Sequence, residues 1–314
     1  MKLPKLPHMK NILRSAILFF VVQISFAQEM MTLTYAKNDT IQLDLDFFVP
    51  EKASKEKMPL VIYVHGGGFS GGERASGHSL CKYLSSNGFA TATISYSLYA
   101  KGKNFNCDGA LPNKIKAFQH GANGVWLATS FFIKNAKKYN IDPSKIFIAG
   151  SSAGAESVLH AAYWDIKTMN LYKNTLPKDF KYAGLISGAG AIMDLNLITQ
   201  KNLIPMMFFH GSGDLTVPYG TAAHHLCKVN SSNWLMLFGS YSIYNYALQL
   251  NGSASLFTYC NGGHEYSGTL FEKDQSYILG FLNDVLAGKK VQQHTVFKTN
   301  KKLSKGEKGY SFCD

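Results

Sequence analysis

Residues 150–154 read Gly-Ser-Ser-Ala-Gly, which is the pattern G-x-S-x-G with Ser152 at its centre. The preceding residues 145–149 are mostly apolar and predict a buried strand, whereas residues 155–163 predict a helix. When this pattern joins a strand to a helix, the tight turn exposes the serine at the helix N-terminus, where the helix dipole stabilises negative charge. A plain glycine-rich turn is the alternative. The segment therefore makes Ser152 a candidate nucleophile.

A second candidate segment is the glycine run in residues 65–69, His-Gly-Gly-Gly-Phe, which directly follows the apolar run 60–64. Consecutive glycines allow the backbone to turn so that its N–H groups point into a cleft. The N–H groups of Gly67, Gly68 and Ala153 are therefore candidates for an oxyanion hole. A flexible loop would also explain the glycines, but not the order strand, glycine run, strand, helix, serine turn.

The segments around these motifs alternate between strand-like and helix-like patterns. Residues 33–35 and 41–49 alternate apolar and polar side chains, which predicts an antiparallel hairpin. Further strands are predicted at 60–64, 90–96, 145–149, 182–186, 204–209 and 254–259, and helices at 79–86, 112–139, 155–163 and 268–286. Strands separated by helices indicate an α/β fold with a mostly parallel central sheet and helices on both faces. We expect one domain over residues 28–288.

Five motifs occur in the order found in a known superfamily. They are HGGGF at 65–69, SYSL at 95–98, DPSKIFIAGSSAG at 142–154, HGSGDLTVP at 210–218 and GGHEY at 262–266. On these residues the sequence resembles the α/β-hydrolase superfamily, and within it the HGGG-type carboxylesterases related to the hormone-sensitive-lipase and BD-FAE-like groups. The resemblance covers about residues 57–286. It implies an α/β-hydrolase fold and a serine carboxylesterase that uses neither a cofactor nor a metal.

The resemblance also implies where the partners of Ser152 lie, because in this fold the acid and then the histidine follow the serine along the chain. Asp214 lies in the turn after the predicted strand 204–209, and His264 follows the last predicted strand behind two glycines. We expect Ser152 to attack an ester carbonyl, His264 to accept and return the proton, and Asp214 to orient the imidazole. The alternatives are a solvated turn aspartate and an ordinary loop histidine.

Six other histidines are expected to have structural, packing or surface roles: His65, His120, His160, His210, His224 and His225. The first and fourth of these lie at predicted strand ends, and the others fall in stretches that favour helix. Glu156 and Glu265 lie close in sequence to the expected triad but are not assigned a catalytic role.

The part of the chain before the glycine-run strand is short. Only about 30 residues of the expected mature chain precede it, whereas hormone-sensitive-lipase-like enzymes carry a substantial N-terminal cap. We therefore expect a small or absent cap and an open cleft, which suits acyl groups carried on a polymer. The resemblance to esterases that remove acetyl or feruloyl groups from polysaccharides indicates such substrates. The alternatives are a serine peptidase of the prolyl-oligopeptidase type and a non-catalytic, hydrolase-like binding module.

Residues 1–27 predict a cleavable secretory signal peptide. Lys10 and Arg14 precede an apolar run at 16–24, and the small residues Ser25 and Ala27 frame a peptidase site. The run is shorter than the roughly 20 apolar residues that span a bilayer, although an uncleaved anchor is the alternative. We expect a secreted or periplasmic protein with no membrane segment in its mature form.

The formal net charge of +12 is concentrated at the two ends of the chain. Residues 289–314 hold seven lysines against Glu307 and Asp314, and we interpret this segment as a basic, loosely ordered C-terminal tail. The body shows no basic stripe interleaved with aromatic residues, so nucleic-acid binding is not predicted.

Five cysteines allow disulfides outside the cytosol. None of their spacings is typical of metal ligands. Connectivity does not follow from sequence alone. The pairing that we expect is Cys81 with Cys107 and Cys227 with Cys260, which leaves Cys313 in the tail.

Overall fold

The computed structural model describes residue 1 and residues 30–50, 56–303 and 309–314. The predicted signal peptide, Met1 excepted, lies outside the described residues. The strands of the described part are β1 (Met30–Lys37), β2 (Gln42–Phe48), β3 (Met58–Val64), β4 (Ala90–Ile94), β5 (Ile141–Ser151), β6 (Gly184–Gly188), β7 (Ala191–Ile192), β8 (Met206–Gly211), β9 (Thr221–Ala223), β10 (Met236–Gly239), β11 (Ala254–Tyr259) and β12 (Gln292–Phe297). The helices are α1 (His78–Ser86), α2 (Leu111–Lys134), α3 (Ala153–Tyr163), α4 (Ile166–Met169), α5 (Ser240–Gln249), α6 (Thr269–Glu272) and α7 (Ser276–Leu286).

Nine strands form the central sheet in the order β1-β2-β4-β3-β5-β6-β8-β11-β12. β1 pairs antiparallel with β2, and β2 antiparallel with β4, whereas all other neighbours are parallel. Parallel neighbours require crossover connections, and helices supply most of them. The predicted leading hairpin and the mostly parallel sheet are confirmed.

The apolar run in β3 shows why both faces of the sheet are covered. Leu60, Ile62 and Val64 belong to one core, which they share with residues of α2, α3 and α5. Val61 and Tyr63 belong to the other core, with residues of α1, α6 and α7. Because successive side chains of a strand point to opposite faces, an uninterrupted apolar run is buried on both.

The last predicted helix is broken in two. We expected one helix over 268–286, but α6 and α7 are separated by Lys273 in an extended conformation and Asp274 with a φ of 54°. A left-handed residue interrupts the hydrogen-bond ladder of a helix, and aspartate tolerates that conformation better than most residues do.

The C-terminal segment differs from the expected loose tail. β12 extends the sheet past residue 288 by pairing in parallel with β11, and Tyr310 packs edge-on against Tyr219 with 5.0 Å between ring centroids. The many lysines of this segment obscure two short apolar groups, 296–297 and 310–312, that pack against the domain. The segment is therefore part of the fold wherever it is described.

The disulfide pairing expected from sequence is wrong. The bonds join Cys107 to Cys227 and Cys260 to Cys313, while Cys81 is a buried free thiol. Cys81 lies on the buried face of α1. Both bonds join cysteines that are consecutive in the order of the five along the chain, at sequence separations of 120 and 53 residues, but the pairing starts from Cys107 rather than from Cys81.

The described part of the chain contains no large cap. Residues 30–50 before β3 form little besides the β1–β2 hairpin, and the additional sheet is the three-stranded antiparallel unit β7-β10-β9. Among the described residues no helix is both long enough and apolar enough to cross a bilayer.

Candidate active site

Ser152 occupies the tight turn between β5 and α3, with a φ of 53° and a ψ of −123°. A non-glycine residue in such a conformation is strained by roughly 1–3 kcal/mol and is typically held there by its surroundings. A Cβ atom at Gly150 would lie 2.3 Å from the carbonyl oxygen of Gly154, and one at Gly154 would lie 2.1 Å from that of Val64. Both flanking positions of the pattern therefore require glycine, because the strand, turn and helix approach too closely for a side chain.

The structure brings Asp214 and His264 to the hydroxyl of Ser152. The Ser152 Oγ is 2.7 Å from His264 Nε2, and His264 Nδ1 is 2.7 Å from Asp214 Oδ2. Asp214 follows β8, and His264 begins a short 3-10 turn after β11. These strands are parallel neighbours, so their carboxyl ends place the two turns side by side.

The imidazole of His264 has one tautomer that suits both contacts. An ionised carboxylate only accepts hydrogen bonds, so Nδ1 of His264 donates to Asp214 and Nε2 is left to accept from the Ser152 hydroxyl. The side chain of His264 is 27% exposed, whereas that of Asp214 is fully buried. The three hydrogen-bonded side chains are therefore accessible to a ligand at Ser152 and His264 but not at Asp214.

Asp214 is held as a carboxylate by several donors. Burial alone would raise its pKa, but hydrogen bonds from His210 and His264 outweigh this effect and lower the pKa well below the usual range. The backbone N–H groups of Thr216 and Val217 also donate to Oδ1, at 2.8 and 3.0 Å. Asp214 therefore stays ionised at neutral pH and can accept the hydrogen bond from His264 Nδ1.

His210 has a more specific partner than the sequence suggested. Its Nε2 lies 3.1 Å from Asp214 Oδ2, and its Nδ1 lies 2.9 Å from the Ser240 Oγ. We expected a structural hydrogen bond at a strand end, but not that the acid would contact two imidazoles. The spacing of four residues between His210 and Asp214 was the available signal.

The glycine run lies directly against the serine turn. A Cβ atom at Gly66 would be 3.1 Å from the Cβ of Ser152. Gly67 and Gly68 have φ values of 111° and 59°, which glycine adopts without strain. In the described part of the chain no acceptor is found for the N–H group of either residue. Phe69 anchors the run, because its fully buried ring contacts other aromatic rings.

Substitution of Gly67 provides a direct test of this loop. A Cβ atom at Gly67 would lie 2.3 Å from the carbonyl oxygen of Gly71, and its φ disfavours any side chain. We expect Gly67→Ala to displace the N–H groups and to lower kcat for ester hydrolysis by roughly 10²-fold, the effect of losing one oxyanion donor. Gly71→Ala is the matched control, because a Cβ atom there meets nothing within 4 Å. Equal kcat values for the two variants at similar melting temperatures would contradict the role of the loop.

A buried polar cluster that the sequence did not predict lies behind the serine helix. Glu156, one turn after Ser152, has Oε1 at 3.4 Å from His224 Nε2. Burial raises the pKa of Glu156 and lowers that of His224, so both groups favour their neutral forms. Lys114 is fully buried, its Nζ donates to the carbonyl oxygen of Asn233 at 2.9 Å, and burial lowers its pKa to about 8.

The conformation expected for His224 and His225 was wrong. The two residues lie in a short 3-10 turn, and His225 has a left-handed φ of 58°. The sequence directly around the two histidines favours helix and contains no glycine or proline that would indicate the turn. Both rings lie near Phe105, so the turn packs against the loop that precedes α2.

No group of three His, Cys, Asp or Glu side chains is arranged to hold a metal ion within the ranges that the structure describes. The arrangement around Ser152 can transfer a proton from the hydroxyl to the imidazole of His264. The N–H groups of Gly67 and Gly68, in the adjacent glycine run, are available to hold a negatively charged oxygen.

Comparison with known proteins gives a family match and several partial relatives. The BD-FAE family model matches residues 45–203. The chain is 29% identical over 120 residues to fumonisin B1 esterase of Sphingopyxis macrogoltabida, covering 37% of this chain and 22% of that protein. It is 34% identical over 119 residues to gut esterase 1 of Caenorhabditis elegans, covering 37% of this chain and 20% of that protein. The chain therefore spans only about a fifth of the length of these relatives.

Solved structures share the fold over most of the chain. Thermogutta terrifontis esterase 2 phosphorylated by paraoxon superposes with a TM-score of 0.58 at 16% identity, covering 82% of this chain and 91% of that one. The same esterase with bound propionate gives a TM-score of 0.56 at 15% identity, covering 83% of this chain and 94% of that one. The expected α/β-hydrolase fold is confirmed.

Proposed function

The chain belongs to the BD-FAE family, and from this premise we propose that it is a carboxylic ester hydrolase that works through an acyl-enzyme. Ser152 is the nucleophile, His264 the general base and acid, and Asp214 the residue that orients the imidazole. The observation that carries the proposal is the continuous hydrogen-bonded series from the Ser152 hydroxyl through His264 to the buried carboxylate, with both distances at 2.7 Å.

The proposed reaction proceeds in two halves. His264 Nε2 takes the proton of Ser152 as Oγ attacks the ester carbonyl, and the resulting oxyanion is stabilised by the N–H groups of Gly67, Gly68 and Ala153. His264 then gives the proton to the leaving alcohol, and an acyl-serine forms. A water molecule, deprotonated by the same imidazole, releases the acid and restores Ser152.

For the substrate we propose small-acyl or feruloyl esters, carried on a polysaccharide or another polymer. Two observations support an accessible site rather than a deep acyl tunnel: His264 is 27% exposed, and the described residues before β3 form a hairpin rather than a cap. For localisation we propose secretion or the periplasm, since two disulfides are stable in oxidising compartments.

A fluorophosphonate probe and an ester panel test the proposal together. The probe is expected to label the purified protein on Ser152, as located by peptide mass spectrometry, because it reacts with a serine activated by an imidazole. The panel runs from acetyl to long-chain p-nitrophenyl esters and adds methyl ferulate, acetylated xylan and a dipeptide amide. Absence of labelling with no ester hydrolysis would favour a binding module, and preference for the amide would favour a peptidase.

A further inference from the structure

Two turns carry the acid and the histidine of the proposed triad, and they are bonded directly to each other. We call residues 211–214 the acid turn and residues 260–264 the histidine turn. The backbone N–H of Gly213 donates to the carbonyl oxygen of Gly262 at 2.8 Å. A Cβ atom at Gly211 would lie 2.3 Å from that same oxygen, so the two backbones are in close contact. A shift of either turn therefore changes the distance between the acid and the imidazole.

The hydroxyl of Ser212 is a second link between the two turns. Its Oγ accepts a hydrogen bond from the backbone N–H of Asn261 at 2.8 Å. Ser212 lies two residues before Asp214 in the acid turn, and Asn261 lies in the histidine turn. Because Ser212 is only 6% exposed, loss of its hydroxyl would leave the N–H group buried without an acceptor, which is costly. The bond therefore fixes the spacing of the two turns next to the triad.

The disulfide between Cys260 and Cys313 closes the same junction. Cys260 is the first residue of the histidine turn, and the Sγ of its partner lies 3.8 Å from the Ser212 Oγ. Since a disulfide sulfur carries no hydrogen, the hydroxyl donates in this contact while it accepts from Asn261. Lys298 supports the partner in turn, because its Nζ donates to the carbonyl oxygen of Cys313 at 2.7 Å. The Ser212 hydroxyl is therefore held between a peptide N–H and the disulfide.

We propose that Ser212 is a positioning residue for the triad and that the disulfide between Cys260 and Cys313 supports its hydroxyl in this role. The inference rests on the proposed ester hydrolysis. Ser212 acts through the two turns, whose spacing keeps both 2.7 Å hydrogen bonds of His264 aligned. A displacement of about 1 Å in a catalytic arrangement can lower the rate by about 10²-fold. Loss of the hydroxyl should therefore lower kcat and leave KM nearly unchanged.

Ser212→Ala tests the positioning role. We expect kcat with p-nitrophenyl acetate to fall about tenfold, and the rate of fluorophosphonate labelling of Ser152 to fall in parallel. The low-field proton NMR resonance of the His264 Nδ1–H, which is bonded to Asp214, should broaden, because a lengthened hydrogen bond exchanges faster with water. Ser212→Thr keeps the hydroxyl and should restore most of kcat. A role in stability alone would lower the melting temperature without changing that resonance.

The matched control is Ser253→Ala. Ser253 immediately precedes β11, the strand whose other end leads to the histidine turn, and its Oγ accepts from the backbone N–H of Val291 at 3.0 Å. The same chemical loss at the far end of the strand should leave kcat and the low-field resonance unchanged. Equal kcat values for folded Ser212→Ala and Ser253→Ala would overturn the positioning role.

A double variant with Cys260→Ser and Cys313→Ser tests the contribution of the disulfide. We expect a smaller fall in kcat, about two- to fivefold, and a combined effect with Ser212→Ala below the product of the two, because both changes loosen one junction. Unchanged kcat in the folded double variant would overturn the inference, also where Ser212→Ala does not fold. Absence of both hydrolysis and labelling in the wild-type protein would instead overturn the proposed function, so the two failures are distinguishable.

Discussion

Replacing Ser152 with alanine is expected to lower kcat for ester hydrolysis by roughly 10⁵- to 10⁶-fold, as removal of a triad serine does elsewhere. The expected loss follows from the geometry, because the Ser152 Oγ lies 2.7 Å from His264 Nε2 and is the hydroxyl that this imidazole can deprotonate. Without it the imidazole has no oxygen to deprotonate except that of water. The measurement is kcat with p-nitrophenyl acetate, together with loss of fluorophosphonate labelling.

The neighbouring serine supplies a matched control. Ser151 is the last residue of β5, where it pairs with Gly188 of β6. The residue is buried. Ser151→Ala should keep activity close to that of the wild type, since no contact joins its side chain to His264. Substantial hydrolysis by Ser152→Ala, or equal losses in both variants, would contradict the assigned nucleophile.

Replacing Asp214 with asparagine is expected to lower kcat by about 10⁴-fold, because an amide NH₂ group cannot accept the hydrogen of His264 Nδ1. The imidazole then favours the other tautomer, in which Nε2 carries the hydrogen and cannot take the proton of Ser152. A buried NH₂ group would also face His210, which contacts the same carboxylate oxygen. The loss should appear in kcat, with KM less affected. Asp284→Asn, on the surface of α7, is the control with the same chemical change.

The same variant has an effect on stability that depends on pH. The pKa of Asp214 is lower in the folded chain than in the unfolded chain. Its ionised form therefore stabilises the fold above about pH 4, the ordinary value for aspartate, and this contribution is lost as the pH falls toward the folded value. Melting curves should show a smaller acid-induced loss of stability in Asp214→Asn than in the wild type. A steeper loss in the variant would contradict the lowered pKa.

Features that depend on local pattern were predictable from the sequence. The run in β3 is uninterrupted because both faces of the strand are buried, and the glycines at 150 and 154 are required by contacts within one strand-turn-helix unit. The order of Ser152, Asp214 and His264 follows from the fold that the motifs resemble. The structure places these three in hydrogen-bond contact.

Features that depend on long-range packing were not predictable. The pairing of Cys107 with Cys227 depends on two loops that are adjacent in the folded chain but 120 residues apart in sequence. β12 was not predicted because lysines on both sides of it dominate the composition of the C-terminal segment, whereas the strand is defined by its long-range pairing with β11. The contact between Glu156 and His224 joins a helix to a turn 68 residues away along the chain, and no local pattern records such a contact.

The two cross-links have a consequence for how the protein must be produced. Thiols at 107, 227, 260 and 313 stay reduced where glutathione is abundant. A recombinant host that retains the chain in its cytoplasm therefore yields molecules in which neither the loop before α2 nor the C-terminus is cross-linked to the rest of the domain. The buried thiol of Cys81, whose pKa burial raises to about 12, is a poor competitor for oxidation. Oxidative maturation thus joins four sulfurs into one native arrangement, and an alkylation gel can follow it over time.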